Sequence, residues 1–291
     1  MINTKQLLLA VLPLFFLGLA TTQTNAQSEL EIGLTGGVAG YSGDLRPDEF
    51  GLYFDDLQGF GGIYLRFRPT SRIALRLNGI FGRVKATDSR PERIELANNT
   101  GIAPLNFESA ITEFSLEAEL DLFYIGDKNG NHLAPYISGG AGIFTFNPET
   151  IRDGNTFELR DFRTEGQGIG GDRYAAAPYD LTDWTFLLGG GLRWRASDRL
   201  VIGVEVIGRR TNTDYLDDIS NTRVNYSDLL ENFGAGSANL SNPYITDLAN
   251  ADTDYVRGGE FNDWYFTGGL TLGIIIGNGS GGSSKTGCYT F

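Results

Sequence analysis

The chain has 291 residues and a formal charge of −13, with 36 Asp and Glu against 23 Lys and Arg. That balance argues against nucleic acid as a partner, because phosphate binding needs concentrated cations. A single cysteine rules out an internal disulfide framework, and glycine, 40 of 291 residues, is well above its usual share of ~7%.

The chain opens on MINTKQ with Lys5, continues with an apolar run from Leu7 to Ala20, and reaches Thr24-Asn25-Ala26 before Gln27. This is the pattern of a secretory signal peptide cleaved after Ala26, residues 1–26. The run is too short to span a bilayer, which takes roughly 20 residues, and no cysteine follows it to accept a lipid. No later stretch is apolar for long enough to make a membrane helix, so a closed barrel is the remaining way across a membrane.

Strand one, Leu30 to Tyr41, sets Leu30, Ile32, Leu34 and Val38 on one face and Glu31, Thr35 and Ala39 on the other. An acidic loop leads to strand two, Phe60 to Arg68, where Ile63, Leu65 and Phe67 alternate with Tyr64, Arg66 and Arg68. Pro69-Thr70-Ser71 turns the chain into strand three, Arg72 to Val84, with Ile73, Leu75, Leu77 and Phe81 against Ala74, Arg76 and Asn78. Strand four has the cleanest alternation: Phe114, Leu116, Ala118, Leu120 and Leu122 against Glu113, Ser115, Glu117, Glu119 and Asp121. Four carboxylates on one face cannot point into lipid. Strand five, Leu133 to Phe146, leaves its facing open, because Ile137, Ala141 and Ile143 compete with Tyr136, Phe144 and Phe146.

A long loop from Pro148 to about Asp183 leads to a hairpin that turns at Ala196-Ser197-Asp198. One face of the hairpin holds Phe186, Leu188, Leu192, Trp194, Leu200, Ile202, Val204 and Val206; the other holds glycine with Arg193, Arg195, Glu205 and Arg209. A lipid-facing barrel strand explains both faces, with apolar residues against acyl chains and small or charged ones in a narrow interior. The longest loop, Thr213 to about Asn262, precedes strand eight, where Trp264, Phe266, Leu270, Leu272, Ile274 and Ile276 face out.

The expected fold is all-β, an eight-stranded antiparallel transmembrane β-barrel over residues 27–276 in the outer membrane. Short turns are periplasmic, long loops extracellular and both mature termini periplasmic. Tyr64, Tyr136, Trp194, Trp264 and Tyr265 are placed as interfacial girdles. Eight strands leave an interior just wide enough for side chains. There Arg66, Arg76, Arg193 and Arg195 are expected to pair with Glu117, Glu119, Asp121 and Glu205 as a structural plug, since an unpaired charge in such a space is costly. A porin is not expected.

His132, the only histidine, falls in a predicted periplasmic turn, away from the outer rim where a barrel hydrolase would need it. Asp214, Tyr215, Asp217 and Asp218 form a loop motif at the outer end of strand seven, read as a loop cap or docking surface; its spacing matches no EF-hand. No metal, cofactor or small-molecule substrate is expected, and the partner outside protein is outer-membrane lipid. After strand eight, Gly277 to Ser284 reads as a flexible tether to Lys285-Thr286-Gly287-Cys288-Tyr289-Thr290-Phe291. A lone cysteine near the end, in an oxidising compartment, reads either as a bond to another protein or as a free thiol.

LAPYISGGAGIFTFNP, GGGLRWRASDRLVIGVEVIGRRTNTDYLDDIS and the C-terminal GCYTF together resemble the PorG-like family of small Bacteroidetes outer-membrane barrels of the type IX secretion system. The resemblance implies a non-enzymatic barrel that anchors a periplasmic ring, made of a lipoprotein and its partner subunit, to the outer membrane. It further implies that Cys288 is joined to the ring lipoprotein, with Tyr289 to Phe291 as flanking contact. The alternative is a stand-alone barrel of the OmpA or OmpX kind, with a dispensable tail and its function in the loops.

Overall fold

The computed structural model describes residues 28–46, 56–128, 130–152, 154–247 and 251–276. The signal peptide and the tail from 277 onward, Cys288, Tyr289 and Phe291 included, lie outside the described residues. Eight long strands make one sheet: β1 (Glu29–Ser42), β2 (Gln58–Arg68), β3 (Ile73–Thr87), β4 (Asn106–Asp121), β5 (His132–Arg152), β6 (Thr182–Arg195), β7 (Leu200–Thr211) and β8 (Trp264–Ile276). Each pairs antiparallel with its neighbours in the chain, β4 pairs with β5, and β1 pairs with β8, so the sheet closes into a barrel without an edge.

The alternation of the sequence drives the closure. Inward rows carry charge and outward rows carry hydrocarbon, the reverse of a soluble protein: Arg66 and Glu119 are each 2% exposed, while Phe114 is 71% and Leu188 74% exposed. A one-residue slip of any strand would exchange the two rows and drive charge into lipid, so register is strongly specified. Among the described residues no helix is long and apolar enough to cross a membrane.

Where the barrel seam closes, Gly37 faces Gly269 across β1 and β8. A Cβ on Gly37 would lie 2.2 Å from the Gly268 carbonyl oxygen, and one on Gly269 would lie 2.4 Å from the Gly36 oxygen. Only glycine lets the first and last strands approach this closely.

The open facing of strand five is settled by burial. Ile137 and Ile143 point outward and Tyr136, Phe144 and Phe146 inward. Three of the expected girdle residues are corrected by the same measure: Tyr64, Tyr136 and Tyr265 are buried inside the barrel, and the exposed tryptophans near strand ends are Trp184, Trp194 and Trp264.

Strands also run further than predicted. β3 continues to Thr87 beside the start of β4, and β5 runs 21 residues to Arg152 before folding back on a short strand, Asn155–Glu158. Apart from Ile151, these extensions are polar outside, with Lys85, Thr87, Asn147 and Glu149 facing outward, so they lack the sustained apolar row that marks a membrane strand.

The connections at this end are folded. Helix α1 (Pro91–Thr100) starts with proline in its first turn and stops at Gly101, whose φ of 71° suits a left-handed cap. In the segment between β7 and β8, a two-stranded sheet (Arg223–Asn225 with Asp254–Val256) carries α2 (Tyr226–Phe233) and α3 (Ala235–Ser241). The Asn225 side chain accepts from Ser227 N and Asp228 N, capping α2. Val224, Tyr226, Leu229, Ala238 and Ala251 form a buried core of their own. The described residues of 225–257, a stretch that reads as loop in the sequence, therefore form a small folded cap.

Candidate functional site

The lumen is the feature that decides what this barrel can do, and its contents follow from the inward rows in layers. At the turn end, Arg68 donates to Asp121 at 2.6 Å and Arg195 to Glu29 at 2.7 Å. One layer up, Glu119 is a hub: Arg66 Nε lies 2.9 Å away, Arg193 pairs with it, and Arg76 Nη1 is 3.6 Å off. Arg193 also reaches Asp121 at 2.7 Å, and Arg66 pairs with Glu31.

Above this, Arg76 grips Glu205 with both terminal nitrogens, at 2.5 and 3.0 Å, while the Tyr136 hydroxyl donates to the same carboxylate at 2.8 Å. Two-pronged pairing of this kind is the strong form of the arginine–carboxylate bond. Arg209 closes the ladder by donating to Glu113 at 2.6 Å and to Thr267 at 2.7 Å. Tyrosine rings sheathe the guanidinium groups: Arg66 and Arg76 lie 4.7 and 4.5 Å from the Tyr64 centroid, and Arg193 lies 4.4 Å from that of Tyr136.

The pairing differs in two places from the one expected. Arg195 sits at the rim and pairs with Glu29, not with the interior set. Glu117 makes no ion pair among the described residues; its Oε1 accepts from Asn78 Nδ2 at 2.7 Å and its Oε2 has no hydrogen-bond partner. Glu31, Glu113 and Arg209 belong to the network although they fall outside the expected pairing set. Their inward alternation is the signal that marks them, but partners 96 positions apart, as for Arg209 and Glu113, cannot be matched from the chain alone.

Toward the loop end the lumen turns apolar. Ala39, Leu45, Val84, Phe107, Ile111 and Phe144 belong to one buried cluster that runs on through Leu159, Leu216 and Ile219 of the loops, which lid the barrel below the cap's separate core. Tyr215 stacks on Tyr179 with centroids 4.4 Å apart and rings 8° from parallel.

The loop motif sits within this lid. The Tyr41 hydroxyl lies 2.6 Å from Asp217 Oδ2 and 2.7 Å from Asp263 Oδ1. One hydroxyl donates one proton, so the second contact requires a carboxyl proton. Burial raises both well above the usual carboxylate range, helped at Asp217 by the charge of Asp263 and at Asp263 by those of Asp44 and Asp214, in keeping with that count. Asp218 accepts from Thr164, Tyr179 and Arg257, with Tyr179 at 2.7 Å, and Arg257 also lies 3.7 Å from Glu165. Burial pushes Glu165 up to about 8 despite Arg257, and burial with nearby Asp44 pushes Asp214 to about 7. Asp217 and Asp218 are thus buried tie points of the lid.

His132 lies at the opposite end, its Nδ1 3.0 Å from the Gly130 oxygen. Among the described residues no group of three or more His, Cys, Asp and Glu is arranged to hold a metal ion.

A family described as a domain of unknown function, DUF6089, matches residues 6–165, more than half of the chain. The chain belongs to the DUF6089 family. The DUF6089 match ends inside the lid, so β6 to β8 and the folded cap extend beyond it. No curated protein matches the chain. Among solved structures it is similar to Neisserial surface protein A, at 9% identity over 85% of this chain and 96% of that one, with a TM-score of 0.40. It is also similar to the N-terminal barrel domain of Pseudomonas aeruginosa OprF, at 12% identity, 86% and 98% coverage and a TM-score of 0.35. Escherichia coli outer membrane protein W is a third, at 12% identity, 87% and 100% coverage and a TM-score of 0.34.

Proposed function

We propose that this DUF6089 protein is a sealed outer-membrane barrel that holds other components at the membrane and neither conducts nor transforms solutes. The observation that carries this reading is the filled lumen: an arginine–carboxylate ladder occupies the barrel from the Arg195–Glu29 pair up to Arg209–Glu113, and an apolar lid covers the loop end. The outward rows of Leu, Ile, Val and Phe suit a bilayer core. With short connections periplasmic and long loops outside, both mature ends are periplasmic.

The finer assignment comes from the resemblance to the PorG-like family. In it, the tail beyond Ile276 reaches a periplasmic ring lipoprotein of a type IX-like secretion system, with Cys288 as the covalent link and Tyr289 and Phe291 flanking it. The test compares full-length protein, Cys288→Ser and a chain ending at Ile276 in native membranes. Anchoring through the tail expects a heavier, reductant-sensitive band that Cys288→Ser abolishes, and loss of co-purifying proteins from the shortened chain. Identical co-purifying sets from all three would overturn it.

A second reading, a stand-alone envelope or adhesion barrel, is favoured by the separate core of the cap around Tyr226 and Leu229. It expects the tail to be dispensable and binding to be lost when the cap is replaced by a short linker.

A further inference from the structure

At the loop-side edge of the apolar belt the outward row of β7 ends differently from the others. It runs Leu200, Ile202, Val204, Val206 and Gly208, and then presents Arg210, an exposed guanidinium in its sixth position. Its cross-strand neighbours are Trp264 on β8 and Phe186 on β6, both exposed on the same outer face. Arg210 makes no ion pair and no side-chain hydrogen bond among the described residues. The nearby carboxylate of Asp183 is engaged instead by Trp184 N at 2.6 Å and Asn212 Nδ2 at 3.4 Å. Arg83 takes the corresponding sixth outward position on β3 but is neutralised by Glu108.

Directly beneath Arg210 the wall is notched. A Cβ built on Gly208 meets nothing closer than the Leu188 oxygen at 3.7 Å, and one on Gly268, the partner of Val206, meets only Val206 Cγ2 at 3.8 Å. Phe266, the partner of Gly208, leans away from the notch over β1, where its Cζ would lie 2.3 Å from a Cβ on Gly40. Leu188 stands exposed on the other side. The result is a shallow apolar trough running down from a free cation, flanked at its top by an indole and a phenyl ring.

We infer that this notch binds a phosphorylated lipid of the outer leaflet, with the phosphate on Arg210 and an acyl chain in the trough over Gly208 and Gly268. The guanidinium fork matches a phosphate with two parallel bonds, and at the hydrocarbon edge such a pair is little screened. A cation here without an anion would have to reach past the rim for water. The trough needs a ligand whose acyl chain lies immediately below its phosphate, which selects a lipid over a free anion. The leaflet that touches the loop end is the outer one, of phosphorylated glycolipid, so the inference rests on the orientation proposed above.

The test uses the full chain in detergent micelles, with phosphorylated lipid A, the same lipid A after phosphatase treatment, and inorganic phosphate, read by native mass spectrometry. The wild type is expected to retain the phosphorylated lipid about tenfold better than the dephosphorylated one, as loss of a charged hydrogen-bonding partner implies. Arg210→Gln should remove that preference, Gly208→Leu should remove retention by filling the trough, and Arg83→Gln should leave both unchanged. Unheated gel mobility confirms that each variant is a folded barrel. Equal retention of the two lipids by the wild type, equal loss in Arg83→Gln, or displacement of the lipid by inorganic phosphate would each overturn the site. Micelle binding is independent of orientation in the cell. Labelling of Thr156→Cys in a Cys288→Ser background on intact cells tests orientation separately, and lack of surface label there would overturn the leaflet assignment alone.

Discussion

Glu117 and Glu119 sit two residues apart on the inward face of β4, yet replacing each by Gln should move stability in opposite directions. Glu119 meets Arg66 at 2.9 Å, Arg76 at 3.6 Å and also Arg193. Without its charge, three buried guanidinium groups must share Glu31, Glu205 and Asp121, and breaking buried pairs in this way costs about 3–5 kcal/mol. Glu117 has one hydrogen bond, from Asn78, and no ion pair among the described residues. In the interior ladder Arg66, Arg68, Arg76, Arg193 and Arg209 face Glu31, Glu113, Glu117, Glu119, Asp121 and Glu205, so one carboxylate is in excess, and geometry identifies it as Glu117. Gln at 117 keeps the oxygen that Asn78 uses and removes the surplus charge, while its amide N–H groups stand unpaired where Oε2 was, so the net gain is small, about 0–1 kcal/mol. The assay is urea unfolding of the barrel in lipid vesicles, followed by tryptophan fluorescence and unheated gel mobility. Destabilisation by Glu117→Gln as large as that by Glu119→Gln would refute the reasoning. It would mean that attraction between Glu117 and Arg76, its cross-strand partner, outweighs the excess of carboxylates.

The lid should loosen with rising pH. Glu165 at about 8 and Asp214 at about 7 both lie above their unfolded values near 4, so the folded lid favours their protonated forms. Its stability is full at acid pH and falls as pH climbs through those values; hydrogen exchange over residues 214–220 at pH 5.5 and 8.5, corrected for intrinsic rates, checks the sign. Gly37→Val should prevent seam closure, because its Cβ would lie 2.2 Å from the Gly268 oxygen, whereas Gly36→Ala, with its nearest atom at 3.6 Å, should be tolerated; the heat-modifiable folded band reports both. In planar bilayers the full chain should show no conductance steps, and replacing 222–257 with a short linker should leave it closed, since the ladder alone fills an eight-stranded lumen.

The barrel is legible wherever a strand crosses lipid, because the two solvents on its two faces impose a period of two. Phe114 to Asp121 declares its facing outright. Tyrosine is the residue that misleads: a phenol ring suits an interface and equally a guanidinium, and Tyr64 lies over Arg66 and Arg76. Beyond the belt the constraint disappears. Lys85 to Thr87 and Pro148 to Arg152 are strand by hydrogen bonding to neighbours that no local pattern reveals. The DYLDD motif stands out as acidic, but Asp217 is tied down by Tyr41, 176 positions away, and Asp218 by Arg257, and neither distance is written locally. Arg210 is plain in the chain; what makes it interesting, its flanking rings and the missing side chains below it, exists only once three strands are side by side.

The long reach of the interior pairs has a consequence for how the barrel is made. Arg76 and Glu205 are separated by 129 positions, Arg193 and Asp121 by 72, and Arg66 and Glu119 by 53. Until every strand is in place, some charges face hydrocarbon or an empty core with no counterpart. A sheet that stops short, or zips up one register out, is therefore penalised at several layers at once. The ladder thus acts as a proofreading device, making assembly all-or-none and admitting to the membrane only the closed, correctly threaded product.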